Sequence, residues 1–582
     1  MELSYAPALR GRLTICMASP RASTRLANDK EEIPDTMEHL RLLLIVALSF
    51  TGFQLWEAWQ KDYGPAPIAN PTVASEISVP KSAAPPPSVP SESRAAIPPV
   101  TNEAAANEPL AASTITARSD LFDLQISTQG GTLESVSLLA YPTSTASGAP
   151  AVELLGTDAE RVFIQESGLT GSANLPTHHS IYAAEADSYQ LADGANEVVV
   201  PLRWTDTSGV IVEKRIILTR GSYSITIEHE VINNSSEPVR AHLYEQLKRN
   251  TESSRRGMVY TFTGPALSTP EKRFAKFSFD NIKDKPIALS ADGAWVGIIQ
   301  HYFVTALIPP ADATYHFYSK ILDDTHYLVG YQGPETAVAP TSTQTLTSRV
   351  YIGPKRHDII AEVAPGLELS VDYGVLWFIA KPLFLTLRAI HDMTGNWGIA
   401  IILVTLLLKL MFFPLSAAGY RSMANMRRVQ PRMLALKERL GDDRAQLNQA
   451  MMKLYKDEKI NPLGGCLPIL IQIPVFIALY WVLLESVEMR QAPFILWVHD
   501  LSEKDPYFVL PLLMGISMWG QQKLNPVPLD PLQAKVMQLM PIMFTGFFAF
   551  FPSGLVLYWF VNNMLSIAQQ WQITRAIEAK AA

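Results

Sequence analysis

WGIAIILVTLLLKLMFFPL, residues 397–415, is an apolar run of nineteen residues, long enough to cross a bilayer at about 1.5 Å per residue. It carries one charge, Lys409. A cation at the centre of a spanning helix costs roughly 2.5 to 3.5 kcal/mol on insertion scales, so such lysines face water, a partner or a substrate. Two plainer readings stand beside that one, a side chain that snorkels to the headgroups and a structural ion pair. Only about six residues separate Lys409 from the polar residues after Pro414, which keeps snorkelling open. No Asp or Glu falls within the other apolar stretches, 40–56, 468–484, 507–522, 536–551 and 553–570, which weakens the ion pair.

Outward from this run the composition describes a membrane protein with a large water-exposed part: 48% of residues are hydrophobic and the mean hydropathy is only +0.10. Residues 37–60 (LRLLLIVALSFTGFQLW and flanks) form a first span with no small-x-small site after it, hence an uncleaved anchor. Residues 1–36 lack periodicity and read as a disordered extension or as sequence upstream of a start at Met37. Further spans are expected at 463–485, 507–523, 536–551 and 553–572. Residues 373–391 are apolar but hold Lys381, Pro382 and Arg388, and counting them as a span would put residues 416–461 on the outer side. That segment has ten basic residues against five acidic ones, so the positive-inside rule keeps it in the cytoplasm. Residues 371–394 are therefore expected to lie flat at the outer surface as an amphipathic helix. Six spans with both termini cytoplasmic satisfy every flank: 486–506 faces outward, 524–535 and the short tail 573–582 inward.

Between the first two spans lie a Pro/Ala/Ser-rich linker (61–119) and some 230 residues of period-two alternation. In the stretch Tyr223-Ser-Ile-Thr-Ile-Glu-His-Glu-Val231 apolar side chains at 223, 225, 227 and 231 alternate with polar ones. Punctuation at Gly130-Gly131, Ser208-Gly209 and Arg220-Gly221 completes the pattern of one antiparallel β-sandwich at 120–353. Cys16 and Cys466 are the only cysteines, so a disulfide framework or a cysteine zinc site between them is excluded. His229, His242, Glu228, Glu230 and Glu245 raise the thought of a sugar-active carboxylate pair. Strand alternation is expected to place them toward solvent, which favours the plainer reading.

In the basic segment Met426, Val429, Met433, Leu436 and Leu440 fall at spacings of three and four, and Leu447, Met451 and Leu454 resume the pattern after Gly441-Asp-Asp443. The expectation is an antiparallel helical hairpin, with Pro431 kinking or interrupting its first arm. A charged face such as Arg427, Arg428, Arg432, Lys437, Lys453 and Lys456 is commonly just solvated. Beside it, Met423, Met426, Met451 and Met452 are expected to be exposed, and flexible thioethers suit varied apolar partners. The hairpin is thus expected to dock an apolar partner. Within the spans, polar side chains recur at helical spacing: Thr405, Lys409 and Ser416, then Gln472, then Tyr558, Asn562 and Gln569. Each can be helix-to-helix glue. Together with a lone lysine, one wet intramembrane groove explains them more economically.

Asn461-Pro-Leu-Gly-Gly-Cys-Leu-Pro468, Gln472, Arg490-Gln-Ala-Pro-Phe494, Trp497-Val-His-Asp-Leu501, Asp505-Pro-Tyr507 and Phe551-Pro-Ser-Gly-Leu-Val-Leu-Tyr558 resemble the YidC membrane-protein insertases of Gram-negative bacteria. The likeness covers nearly everything from Met37 onward. It implies a polytopic α-helical inner-membrane protein of six transmembrane helices, with a periplasmic all-β sandwich of galactose-mutarotase-like fold and a cytoplasmic hairpin. It also implies insertion and folding of nascent membrane proteins, alone or beside the Sec translocon, without catalysis, cofactor or metal. In that family a basic residue in the second span, typically arginine, sits in a groove open to the cytoplasm. The matching position here is Lys409, which keeps the charge and loses the bidentate fork. The rival classes are a small-anion transporter, which should show internal repeats and broken midplane helices, and a membrane-anchored periplasmic carbohydrate-active enzyme.

Overall fold

The computed structural model describes residues 112–158, 161–172, 175–250, 261–323, 325–440, 443–458, 460, 467–525 and 531–581. The expected first span, residues 1–36, nearly all of the linker, both cysteines and the first six residues of the Asn461 motif lie outside these.

Period-two alternation builds the first half. Along the strand Ser224–Asn233 half-buried and buried positions alternate without a break, and Val210–Thr219 and Ser342–Pro354 pair with it antiparallel on either side. Nine strands make this sheet and eleven the other. One pairing departs from the antiparallel pattern, Thr114–Arg118 with Ser188–Gln190, which is parallel. Phe163, Ile216, Ile227, Leu247 and Trp295 are among the fully buried side chains that form the main core.

A polar layer one residue deep crosses that core. Lys214, His229 and Glu245 have no exposed surface, and Ser167 and Gln165 lie beside them on the strand Arg161–Gly171. On one side of the layer stand Phe163, Ile216, Ile227 and Leu247; on the other a separate apolar cluster holds Leu169, Val212, Val231 and Leu243. The expectation that His229 and Glu245 face solvent is wrong. Residue 229 shares its parity with buried Ile227 and Val231, and residue 245 with Leu243 and Leu247, so the alternation that hides those side chains hides these too. Glu228 and Glu230, of the other parity, bind Arg215 at 3.0 and 3.1 Å on the half-exposed face, and His242 is partly exposed.

The buried charges are satisfied locally. The Lys214 ammonium donates to the carbonyls of Gly130 (2.7 Å) and Gly131 (3.0 Å), and Glu245 accepts from Ser348 (2.6 Å) and Tyr331 (3.0 Å). Gly131 is required there: its φ is +60°, and a Cβ would lie 2.8 Å from Leu202 and 2.9 Å from Lys214. Burial pushes the Glu245 carboxyl up to about 7 and the Lys214 ammonium down to about 7.

The second half is helical: α1 (Trp377–Thr394), α2 (Trp397–Met411), α3 (Phe413–Leu440), α4 (Arg444–Asp457), α5 (Leu467–Glu485), α6 (Val509–Leu524), α7 (Pro531–Phe548) and α8 (Ser553–Ala581). Asn396 caps α2, its side chain accepting from the Ile399 N–H. The expected second span ends early. α2 stops at Phe412 and the axis turns by 69° into α3, because Pro414 suits a helix's first turn, where its missing N–H costs nothing. Pro431, expected to kink or interrupt the hairpin's first arm, lies inside the continuous α3. Its position is exposed, so water can take up the carbonyl of Arg427 that its ring leaves unpaired. The last helix also outruns the expected boundary at 572 and continues to Ala581. By length and composition, Gly374–Thr394 alone among the described helices suffices to cross a membrane, with α2 and α3 qualifying as a bent pair. Gln472–Glu485 and Ala534–Phe548 are apolar but shorter.

Sandwich and helices meet in a polar seam. Lys355 donates to Glu485 at 2.9 Å with both side chains buried, and His301 Nε2 lies 3.0 Å from the Leu484 carbonyl. Arg490 and Gln491 both donate to the Pro142 carbonyl, at 2.5 and 2.9 Å.

The polar layer fixes one pH dependence. The Glu245 carboxyl holds its proton more tightly folded than unfolded, so its contribution to stability is complete below pH 4.5 and is lost as pH rises through about 7. Relative to Glu245→Gln, the parent sandwich should therefore lose stability between those values, by on the order of 3 kcal/mol at most. Thermal unfolding of both proteins across this window checks it, and parallel pH profiles would rule it out.

Candidate functional site

Lys409 lies in the last turn of α2, one turn beyond Thr405, so both point to one side of the helix. The Thr405 hydroxyl donates to the Ile401 carbonyl (2.6 Å) within its own helix. Lys409 Nζ reaches across to α8 and donates to Ser566 Oγ at 2.7 Å. Ser566 is itself 3% exposed and donates to the Asn562 carbonyl, also at 2.7 Å. Its hydroxyl hydrogen is thus engaged and only lone pairs face the ammonium.

Six of the seven polar residues singled out in the spans, Thr405, Lys409, Ser416, Gln472, Tyr558 and Asn562, line one cavity of about 30 Å³, while Gln569 lies outside it with its amide 3.5 Å from the Phe413 carbonyl. They come from α2, α3, α5 and α8, with Leu408, Phe412, Leu415 and Val475 as apolar walls. The 69° turn at Phe412 brings Ser416 of α3 back over Lys409. On α8, Tyr558 and Asn562 are one turn apart. Ser566 continues the same stripe one turn further and was overlooked; the i, i+4 spacing from Asn562 was the available signal.

A second cavity of about 310 Å³ adjoins the first, and Gln472 and Asn562 line both. Residues from α3, α5, α6, α7 and α8 enclose it, among them Tyr420, Met518, Met540 and Trp559. Nothing in the sequence pattern singled it out, because its lining is spread over five helices at unrelated spacings. Gly515 helps to shape this region by letting α6 approach α7: a Cβ there would meet Thr545 Oγ1 at 1.9 Å. No cluster of three metal-ligating side chains occurs among the described residues.

Two family models match this chain: YidC periplasmic domain over residues 114–386 and 60Kd inner membrane protein over residues 389–580. The membrane protein insertase YidC of Thioalkalivibrio sulfidiphilus is 47% identical over 558 residues, covering 93% of this chain and 99% of its own length. That of Methylococcus capsulatus is 48% identical, covering 94% and 100%. The chain belongs to the YidC insertase family. A solved active YidC insertase, with its first transmembrane domain resolved, aligns over 78% of this chain and 94% of its own at 20% identity, with a TM-score of 0.36. The resemblance read from the sequence motifs is borne out, and the family is one of inner-membrane insertases rather than enzymes.

The motif Asp505-Pro-Tyr507 of this insertase has a structural explanation. Asp505 is 1% exposed; one oxygen accepts from Trp497 Nε1 (3.1 Å) and the Tyr507 N–H (3.0 Å), the other from the Leu510 N–H (2.7 Å) at the start of α6. A single carboxylate thus caps α6 and pins the loop after α5 onto it.

In the hairpin, Asp443 caps α4 by accepting from the Ala445 and Gln446 N–H groups at 3.0 Å. Val429, Met433, Met451 and Ile460 form its core. Met451 is therefore buried rather than exposed, and Met423 and Met426 are half-buried; Met452 alone of the four stands in solvent. The heptad-like stripe that predicts the hairpin already assigned 451 to its inner face, and the expectation of exposure overlooked that. Arg428 and Arg432 lie 3.8 and 2.5 Å from Glu458. Arg427, Lys453 and Lys456 are exposed and Lys437 is half-buried.

Asp505→Ala should cost about 1 to 3 kcal/mol, because it leaves two N–H groups and a Trp indole N–H without their acceptor in a buried loop. Asp505→Asn should recover part of that by keeping one acceptor oxygen. Thermal denaturation of the detergent-solubilised protein measures both, and an Ala variant as stable as the parent would remove the cap from the account.

Proposed function

We propose that this insertase receives the hydrophilic part of a nascent membrane protein in a groove centred on Lys409, open to the cytoplasm, while the apolar part of the substrate passes into lipid. The observation that carries the reading is the convergence of Thr405, Lys409, Ser416, Gln472, Tyr558 and Asn562 from four helices on one cavity. A polar group left in hydrocarbon costs several kcal/mol, so a wet half-channel lowers the barrier for a short hydrophilic segment. The apolar faces that remain exposed on α5 and α7, with Leu470, Ile473, Ile477, Leu539 and Ile542, are suited to guide the segment that follows.

In this reading six spans cross the inner membrane with both termini in the cytoplasm, and the sandwich lies in the periplasm. The α1 helix lies at the periplasmic interface: Arg388 pairs with Asp358 at 3.2 Å, while Trp377, Phe378 and Leu385 stay exposed for lipid. The hairpin serves as the docking point for the ribosome or the signal recognition particle pathway through Arg427, Arg428, Arg432, Lys437, Lys453 and Lys456. The Sec translocon is an optional partner. A transporter or a carbohydrate-active enzyme is not favoured, since the relatives at 47–48% identity are named insertases.

Charge is the property Lys and Arg share, so Lys409→Arg should retain function. Lys409→Ala or Lys409→Glu should impair insertion of substrates with acidic translocated segments. Complementation of cells depleted of the protein reads this out, and normal growth of both the Ala and Glu variants would falsify the charged groove. For the hairpin, replacing residues 427–456 by a short linker should block insertion while leaving the helical bundle stable in the membrane. Pulse-labelled insertion assays check it; unchanged rates would reduce the hairpin to a solvated connector.

A further inference from the structure

The chamber that holds Lys409 is the smaller part of the groove. At about 30 Å³ it has room for a couple of water molecules or one carboxylate head. The neighbouring cavity, about 310 Å³, falls within the size range of ligand sites. Gln472 and Asn562 line both, while Lys409 lines only the smaller and Ser566 only the larger. The 2.7 Å hydrogen bond from Lys409 to Ser566 therefore runs from one chamber to the other and ties α2 to α8 at their junction.

The larger chamber has its own chemistry. No Asp, Glu, Lys or Arg lines it among the described residues, but six amides do: Gln472, Gln521, Gln522, Asn525, Asn562 and Asn563. An amide carries both a donor and an acceptor, the same pair that every peptide unit offers; Gln522 and Asn563 each spend a donor on Met537 and Ser517, and Asn525 accepts from Gln570, which leaves the remaining amide groups for a ligand. Trp559 Nε1, on the same wall, is a buried donor without a partner. The apolar remainder includes Met423, Met518, Met537 and Met540, side chains that adapt to varied shapes. Such a lining suits an extended, uncharged stretch of main chain whose side chains differ from one substrate to the next.

We propose that Ser566 parks the Lys409 ammonium as a latch between the two chambers, and that a substrate carboxylate releases it so that the uncharged main chain beside that carboxylate enters the amide-lined chamber. The inference rests on the groove reading and extends it. Ser566 accepts from Lys409 as a neutral hydroxyl, and a carboxylate is the stronger acceptor for an ammonium. Its arrival draws Lys409 into the small chamber and breaks the α2–α8 tie. The amides and the Trp559 N–H then meet main-chain groups that would be unpaired in lipid. Ser566 is in this account a positioning residue: it sets where Lys409 waits.

The test uses the full-length protein in inverted membrane vesicles, with a photo-crosslinking side chain at position 415 in the small chamber or 540 in the large one. The probe is a ribosome-bound single-span nascent chain with one Asp in its short translocated segment, or with Asn in its place. In the parent, both positions should crosslink the Asp chain, and the yield at 540 should drop roughly tenfold for the Asn chain, the scale of one hydrogen bond to a charged group. Ser566→Ala should bring that Asp-to-Asn ratio at 540 close to one, and Ser566→Thr, which keeps the hydroxyl, should restore it. A merely structural Ser566 would lower all yields alike and leave the ratio unchanged, which overturns the latch. Crosslinks at 415 without any at 540 overturn the second chamber but leave the groove standing. Crosslinks at neither position remove the groove itself.

Discussion

An ammonium buried on an apolar helix has to find an acceptor close by, and the helices around Lys409 are arranged to meet that requirement. Lys409 is met by Ser566 at 2.7 Å, and Ser566 belongs to a stripe on α8 that also supplies Tyr558 and Asn562. The break at Phe412 follows directly: α3 turns by 69° and returns Ser416 to the same cavity. A straight continuation of α2 would have carried Ser416 a further turn and a half along the axis, away from the ammonium. The polar contacts are each individually modest, but unmade ones in a low-dielectric surrounding are costly, so the set is best understood as a unit.

A second constraint binds the sandwich to the bundle. The Pro/Ala/Ser-rich linker lies at the chain's entry into the sandwich. Its exit is the strand Ser342–Pro354, followed at once by Lys355, whose ammonium is paired with Glu485 at the end of α5. With both partners buried, removal of either one leaves a lone charge, a loss of about 3 to 5 kcal/mol. Tyr373 extends the seam, within 2.9 Å of His357 and 3.4 Å of Ser486. Glu488 lies in the same region, and burial pushes its carboxyl up to about 7. The sandwich is therefore seated on the C-terminal end of α5, the helix whose other half supplies Gln472 to the cavity that holds Lys409.

What could be read from the sequence was whatever repeats at a fixed spacing. The period of two gave the strands; the spacing of three and four gave the hairpin and its core at Val429, Met433 and Met451. The same reasoning brought six residues of one cavity together before any coordinates. It failed where residue type was allowed to outweigh parity, as at His229, Glu245 and Met451, whose positions in their own periodic patterns already marked them as inward. It could not reach contacts set by tertiary packing. Lys355 and Glu485 are separated by 130 residues, and the larger chamber gathers side chains from five helices. The bend at Phe412 lay in between: the expected span ran on to residue 415, past Pro414, whereas the helix end at Met411 depends on how the next turn starts.

The presence of Lys where the family resemblance leads one to expect Arg is consistent with the size of the chamber. A guanidinium brings five N–H donors in a rigid plane, an ammonium three on a compact head. In a space of about 30 Å³ walled by Leu408, Phe412, Leu415 and Val475, the smaller head leaves fewer donors to satisfy and can swing on its flexible stem between Ser566 and an incoming oxygen. What it gives up is the flat, two-pronged fit that singles out carboxylates. Recognition by a mobile point charge is less selective and easier to reverse, and a protein that must release each substrate into lipid needs reversibility more than it needs a tight hold.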